Sequence, residues 1–377
     1  MLHHVQPPQH HHGPSVSWFR LVYDQALVTP EVQNWKYAGS GTEEDPFVVV
    51  WIDNDPRNPM TWPDWQKWYL VALVSVATLA VAFVSSAYTG GLSEVIVQFQ
   101  TSQLIVTLGV SLFVLGFAIG PLMWAPMSEI FGRQVLFIGT YAALTAFNAG
   151  AAGAQNITTL LLMRFFAGSF GSSPLTNAGG IIADMFDADQ RGLAMTFFAS
   201  APFLGPVIGP IVGGFAGETI GWRWVEGIMA IFTGILWIAG SLLISETYAP
   251  VLLRKRARAL EETNPGKIYK TRAEIASGPV QFVSVFSTAL IRPWKFAASA
   301  LAANSVLRSL FGMAFPLFTS YMCANPGIHW ARCIPALLAL MCLPMPFLFY
   351  NIGPNIRKKC KFAAESAALM QKMREGR

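Results

Sequence analysis

The residue best placed to do chemistry inside this chain is Arg164, set in the apolar run Leu160-Leu161-Leu162-Met163-Arg164-Phe165-Phe166-Ala167-Gly168. A lone arginine in the middle of a bilayer costs about 2.5–3.5 kcal/mol on insertion scales, so such a residue is expected to face a polar interior. There it can answer the charge of a proton or a substrate. The competing reading is snorkelling toward the headgroups, because Arg164 lies about two turns into its run.

A second group stands between two apolar runs, in Ser128-Glu129-Ile130-Phe131-Gly132-Arg133-Gln134. Gly132 permits a short turn, and Glu129 near the end of one helix can hold Arg133 at the start of the next through a charge-assisted hydrogen bond. Asp184, which closes the run that carries Arg164, is a second acid that could reach Arg133, with a solvated carboxylate at the helix end as the alternative. Holding and releasing that arginine would lock two helices or free them. The plain alternative is an arginine that only sets membrane orientation.

A third pattern is Gly205-Pro206-Val207-Ile208-Gly209-Pro210-Ile211-Val212-Gly213-Gly214. Glycines at 205, 209 and 213 share one helical face and let a neighbouring backbone come close, while the prolines bend the helix. That face wants a partner; a kinked packing helix is the alternative.

Other chemistries find no support in the residues. There is no intramembrane His/Asp/Ser constellation, no acid pair and no nucleotide loop, so an enzyme is not expected. Cys323, Cys333, Cys342 and Cys360 lack metal-ligand spacing and read as free thiols, with a Cys323–Cys333 disulfide as the alternative. The histidines at 3, 4 and 10–12 lie among prolines with no acidic or cysteine partner, so neither metal nor cofactor is expected. Asn156-Ile157-Thr158 has the form of a glycosylation sequon, on a loop so short that the membrane occludes it.

The elements that must position these groups follow from composition. The 377 residues are 53% hydrophobic and 12% charged, against about 25% charged in soluble domains. Apolar runs of roughly 20 residues, enough to cross the hydrocarbon core, recur about eight times. They cover about Tyr69–Tyr88, Leu104–Trp124, Val135–Ala152, Thr158–Ala183, Ala194–Phe215, Val225–Ile244, Ala297–Met322 and Cys333–Tyr350. The net charge of +5 sits mostly in short loops, which speaks of membrane orientation and not of nucleic acid.

The expected organisation is therefore an all-α, multi-pass membrane protein embedded in the lipid bilayer. Residues 1–66 form a largely disordered cytosolic lead-in without a cleavable signal peptide, and 67–246 a six-helix bundle. Residues 247–295 form a basic cytosolic loop, 296–350 two further membrane helices, and 351–377 a basic tail. Arg133, Arg191, the central basic segment and the tail all fall on one side if both termini are cytosolic, with Arg223 and Arg332 as exceptions.

These stretches resemble the major facilitator superfamily, and within it the fungal twelve-helix drug and polyamine proton antiporters. Ser128-Glu129-x-x-Gly132-Arg133 is similar to the family's loop motif, and Arg164-x-x-x-Gly168 to its fourth-helix motif. Gly205-x-x-x-Gly209-Pro210-x-x-Gly213-Gly214 is similar to its antiporter motif. Asp55-Pro56-x-Asn58-Pro59-x-x-Trp62, Gly221-Trp222-Arg223-Trp224 and Glu246-Thr247-Tyr248-Ala249-Pro250 resemble the fungal group. Gln134 stands where a basic residue is common, and Ser245 where proline is usual.

The resemblance implies two six-helix halves that rock about a shared cavity. It implies proton-coupled export of small drug-like, polyamine-like or secondary-metabolite compounds across the plasma membrane. Arg164 would stand on the substrate and proton pathway. Ser128, Glu129, Gly132, Arg133 and Asp184 would form the cytosolic gate, and Gly209-Pro210 would let the fifth helix bend.

The resemblance is continuous over about residues 53–256 and then resumes out of step. Leu290-Ile291-Arg292-Pro293-Trp294 looks like the approach to the seventh helix, but Ala298 to Gly312 looks like the eleventh and the last span like the twelfth. Helices seven to ten are thus expected to be missing, among them the eighth, on which the fifth helix's glycine face would pack. Two functions follow: an exporter, or a truncated, non-transporting membrane protein that is inert or joins full-length relatives through that glycine face.

Overall fold

The computed structural model describes residues 16–277 and 308–317, with isolated positions 337, 340, 341, 343 and 344. The cysteines, the histidine cluster, the Trp294–Lys295 junction, the tail and most of the last two expected spans lie outside the described residues. The chain divides into two compact units, Met1–Met313 and Ala314–Arg377; the account below concerns the first.

In chain order the elements are α1 (Trp18–Tyr23), α2 (Pro30–Gln33), β1 (Phe47–Val49), α3 (Asp64–Ala87), α4 (Leu92–Phe99), α5 (Gln103–Phe131) and α6 (Arg133–Ala152). They continue with α7 (Ile157–Met185), α8 (Ala188–Ile220), α9 (Trp222–Leu243), α10 (Ala249–Thr263), β2 (Tyr269–Thr271) and α11 (Arg272–Ser277). Apolar runs without water must satisfy their peptide groups internally, and a helix does so. The breaks come where the sequence supplies caps. Ser102 and Asn156 accept hydrogen bonds from the Ile105 and Thr159 amides, at 3.4 and 2.7 Å.

Long helices stand at all six positions where the sequence places the first six spans. Five stretches, Asp64–Phe99, Gln103–Phe131, Arg133–Ala152, Gln190–Ile220 and Trp222–Leu243, are long and apolar enough to cross a membrane by length and composition. The remaining helix, α7, is 29 residues long and more polar, carrying Arg164, Asn177 and Asp184 among serines and threonines. It is packed between α5 and α6.

α3 runs along α8, α5 along α7, and α6 against both α7 and α9. Val74, Val81, Phe113, Tyr141, Leu144, Ile182 and Met229 fill the space between them. The expectation that the glycine face of the fifth span lacks a partner is corrected here. A Cβ on Gly205 would come within 2.6 Å of the Phe83 backbone, and one on Gly213 within 2.0 Å of the Ala87 carbonyl. The first span occupies that face, so it is not free for association with relatives. The opposite face of α8 presents Phe203, Val207, Ile211 and Phe215, each more than half exposed. Gly312 in the stretch 308–317 backs onto Val114 of α5.

The lead-in also differs from expectation: residues 16–66 are folded, because their apolar side chains find partners far along the chain. Leu21 and Leu27 join the main core. Val32, Tyr37, Val49 and Ile52 pack with Ala257, Leu260 and Tyr269 from beyond the sixth span. β1 pairs in parallel with β2, Phe47 opposite Tyr269 and Val49 opposite Thr271, a six-residue exception to the all-α fold. The Asp55 carboxylate is clasped by both terminal nitrogens of Arg256, Nη2–Oδ1 being 3.1 Å. Part of the expected basic loop thus forms one polar lobe with the lead-in.

Candidate functional site

Arg164 lies on α7 and is 0% exposed, which places it inside the bundle and excludes snorkelling. Its Nη1 donates to Glu226 Oε1 of α9 at 3.0 Å. It also donates to the Val84 carbonyl at 3.3 Å through Nη1, to Ser85 at 3.0 Å through Nη2, and to Gly109 at 3.4 Å through Nε. The guanidinium carbon sits 4.4 Å from the centre of the Tyr88 ring and 4.8 Å from that of Phe113. Four segments therefore converge on this charge. Glu226 is equally buried, and its second oxygen, Oε2, has no hydrogen-bond donor among the described residues.

A second charged cluster lies at the other end of the helices. Gly132 separates α5 from α6 at φ +95°, and a Cβ there would lie 2.2 Å from Glu246 Oε2, so glycine is required both by conformation and by space. The tight turn brings the first amides of α6 onto the Glu246 carboxylate: Arg133 N at 3.0 Å and Gln134 N at 3.1 Å. The amides of Thr247 and Tyr248 donate to it as well, at 3.0 and 2.9 Å. An ionised carboxylate at a helix N-terminus is stabilised by these donors and by the helix dipole.

The Arg133 side chain reaches Ser128 Oγ at 2.7 Å and Asp184 Oδ2 at 3.4 Å. Thr247 Oγ1 donates to the same Asp184 oxygen at 3.3 Å. Tyr248 covers the guanidinium at 5.0 Å, and burial pushes its phenol up to about 12. Asp184, not Glu129, is therefore the acid that holds Arg133. Glu129 lies within electrostatic reach of Arg133 but makes no ion pair with it, because the turn at Gly132 aims the arginine toward α7. Ser128, Gly132, Arg133 and Asp184 are brought together; Arg164 and the glycines of α8 are separate from them.

The lead-in seals this cluster from outside. Gln134 Nε2 donates to the Val22 carbonyl at 3.1 Å, Ser245 Oγ to that of Leu21 at 3.0 Å, and Arg57 Nη2 to that of Glu246 at 3.0 Å. Burial pulls the Arg57 guanidinium down to about 10, which leaves it charged at neutral pH. Glu246→Gln removes the charge while keeping the shape, and at least one of its four amide donors then faces an NH2 group, since Oε1 accepts three of them and Oε2 one. We expect destabilisation of about 1.5–3 kcal/mol, the worth of hydrogen bonds to a charged group. A thermal melt of the purified protein in detergent checks it.

Two residues escaped the sequence reading. Glu226 is the one acid in its apolar run, and an intramembrane carboxylate was the available signal. Glu246 was seen only as part of a similar stretch, and nothing local says that it caps a helix more than a hundred residues away.

Comparisons with known proteins agree with this architecture. The sequence model described as Major Facilitator Superfamily matches residues 74–311. The chain is 46% identical over 499 residues to "MFS-type efflux pump MFS2" of Trichophyton rubrum, covering 94% of this chain and 84% of that protein. It is 44% identical over 504 residues to "Major facilitator superfamily multidrug transporter mdrA" of Aspergillus fumigatus, covering 96% and 83%. It is 37% identical over 515 residues to "Efflux pump FUB11" of Gibberella moniliformis, covering 98% and 86%. Each alignment is longer than the chain's 377 residues, so the relatives hold aligned positions with no counterpart here.

Proposed function

The chain belongs to the major facilitator superfamily, and from that premise we propose that it exports small drug-like, polyamine-like or secondary-metabolite compounds across the plasma membrane in exchange for protons, with both termini cytosolic. The observation that carries this reading is the ion pair Arg164–Glu226, 3.0 Å long with both side chains buried. A charge pair inside helices that could be packed with hydrophobic residues is weak evidence for stability and better evidence for a conformational or transport role. The names of the relatives, efflux pumps and a multidrug transporter, support the export of drug-like compounds.

In this reading Arg133, Ser128 and Asp184 lock the cytosolic ends of α5, α6 and α7, with Glu246 fixing the start of α6. Glu129 takes part through its charge alone. The closeness of α8 to α3 makes Gly205, Gly209 and Gly213 the seam along which the proline-bent α8 slides, with Pro210 and Gly214 on its outer side.

The test is efflux of a lipophilic cationic dye, rhodamine 6G, from a yeast host stripped of its own pumps. The wild-type chain should lower dye retention and Arg164→Ala should abolish the effect. A wild-type chain that moves no dye and confers no drug resistance rejects the proposal.

A second reading is favoured by the aligned positions that the relatives have and this chain lacks: a membrane protein of the same family that does not transport. Sequencing the transcript across Trp294 and Lys295 separates the two. A longer transcript encoding four more apolar helices returns the chain to the exporters, and an unchanged junction favours the non-transporting product.

A further inference from the structure

We propose that Glu226 is the group that binds the transported proton, with Arg164 as its fixed counter-charge; this rests on the proton-coupled reading above. Arg164 is held independently of its acid partner, by the carbonyls of Val84, Ser85 and Gly109 and by the faces of Tyr88 and Phe113. A guanidinium does not give up its proton in a protein. Any change of charge at this pair therefore falls on the carboxylate.

The anchorage of Glu226 is thin by comparison with the other buried acids of the same protein. Glu246 accepts four backbone N–H bonds, and Asp55 accepts two bonds from Arg256 and the Arg57 amide. Each of those two carboxylates has a donor on both oxygens. Among the described residues Glu226 accepts one bond, through Oε1, and its buried Oε2 accepts none. An ionised oxygen left without a donor in an apolar interior is costly, and a proton removes that cost.

The charged and titratable groups facing Glu226 are few. α7 contributes Arg164, and the turn after α3 contributes the Tyr88 phenol, whose hydroxyl donates to the Val106 carbonyl. On α4, Glu94 is committed to the Trp222 amide, and on α9 itself Arg223 donates to the Ala152 carbonyl. Arg133 on α6 and Asp64 and Lys67 on α3 stand at the far ends of those helices, and Glu218 on α8 is exposed. Glu226 lies about one turn inside α9 and Arg164 about two turns inside α7, both at the end of the bundle expected to face outside.

In the cycle one proton entering from outside adds to Oε2, and the carboxylate becomes a neutral acid. The guanidinium keeps its charge and its carbonyl partners, while the attraction that ties α9 to α7 is lost. Release of the same proton to the cytosol restores the pair. One proton is bound and one released, and no other bond is made or broken.

The full chain reconstituted in liposomes gives two readouts. By infrared difference spectroscopy between alkaline and acidic buffer, without substrate, the wild type should show a carboxylic-acid C=O band. Glu226→Gln should lack that band, and Glu226→Asp should retain it at a shifted frequency. With rhodamine 6G and an inward proton gradient, Glu226→Gln should lose uphill efflux and Glu226→Asp should keep it. Glu226→Asp also controls for folding.

A wild-type band that survives in Glu226→Gln, no band at all, or uphill efflux by Glu226→Gln overturns the proposal, and uphill efflux leaves the transport reading intact. A titrating Glu226 band in a wild-type chain that moves no dye supports proton binding at Glu226 and rejects the export function instead.

Discussion

Arg164→Ala should destabilise the protein by about 3–5 kcal/mol, the usual result of removing one partner of a buried ion pair. The loss is large because Glu226 has no other donor among the described residues. With the arginine gone, its carboxylate is left buried with neither oxygen bonded, and the carbonyls of Val84, Ser85 and Gly109 lose their shared partner as well. The double variant Arg164→Met/Glu226→Leu should recover most of that stability, since hydrophobic groups of similar volume often replace a buried pair at no cost.

Thermal melts of the purified variants in detergent measure both effects, and dye efflux separates stability from work. The double variant should be stable and inactive. A single variant as stable as the wild type would mean that water already reaches the pair. A double variant that exports dye would remove the pair from the mechanism.

The second large effect is expected from a single methyl group. Gly213→Ala places a Cβ 2.0 Å from the Ala87 carbonyl oxygen, with the Ala87 carbonyl carbon 2.8 Å away. Backbone atoms of α3 cannot rotate aside, so the two helices must separate along their whole seam. Overpacking of this kind costs about 1–3 kcal/mol, and more where the neighbour is rigid. The next residue supplies the control, because a Cβ on Gly214 meets nothing within 4 Å.

Gly214→Ala should be neutral or stabilise α8 by about 0.5–1 kcal/mol, through the lower entropy of the unfolded chain. Expression level and melting temperature in the same detergent compare the two. Equal behaviour of the neighbours would refute the close approach of α8 to α3.

Neither effect can be argued from the sequence alone, although both residues stand out in it. Arg164 was legible as a charge facing the interior because an arginine in an apolar run is rare, but not as half of a pair: its partner lies 62 positions away. The glycine periodicity was legible as a packing face, yet the helix that fills it is the first span, not a missing one. Around Gly132 the fold brings Ser128, Arg133 and Asp184 together, while Glu129, the acid nearest in sequence, makes no ion pair with Arg133. The lead-in, read as disordered from its polar composition, is folded because its scattered apolar residues meet α10 and β2, more than two hundred residues later.

The sequence by itself determined the solvent of this protein and the elements within it. Hydrophobic content sets the membrane, run length sets the spans, and glycines and capping residues set the breaks, because each of these is decided by the local cost of leaving peptide groups without partners. Only the tertiary structure decided which charges meet. An ion pair requires two side chains within about 4 Å, and that distance is fixed by how α7 and α9, or α5, α6 and α7, pack against one another. Nothing in the separation of Arg164 from Glu226 along the chain, or of Arg133 from Asp184, encodes it.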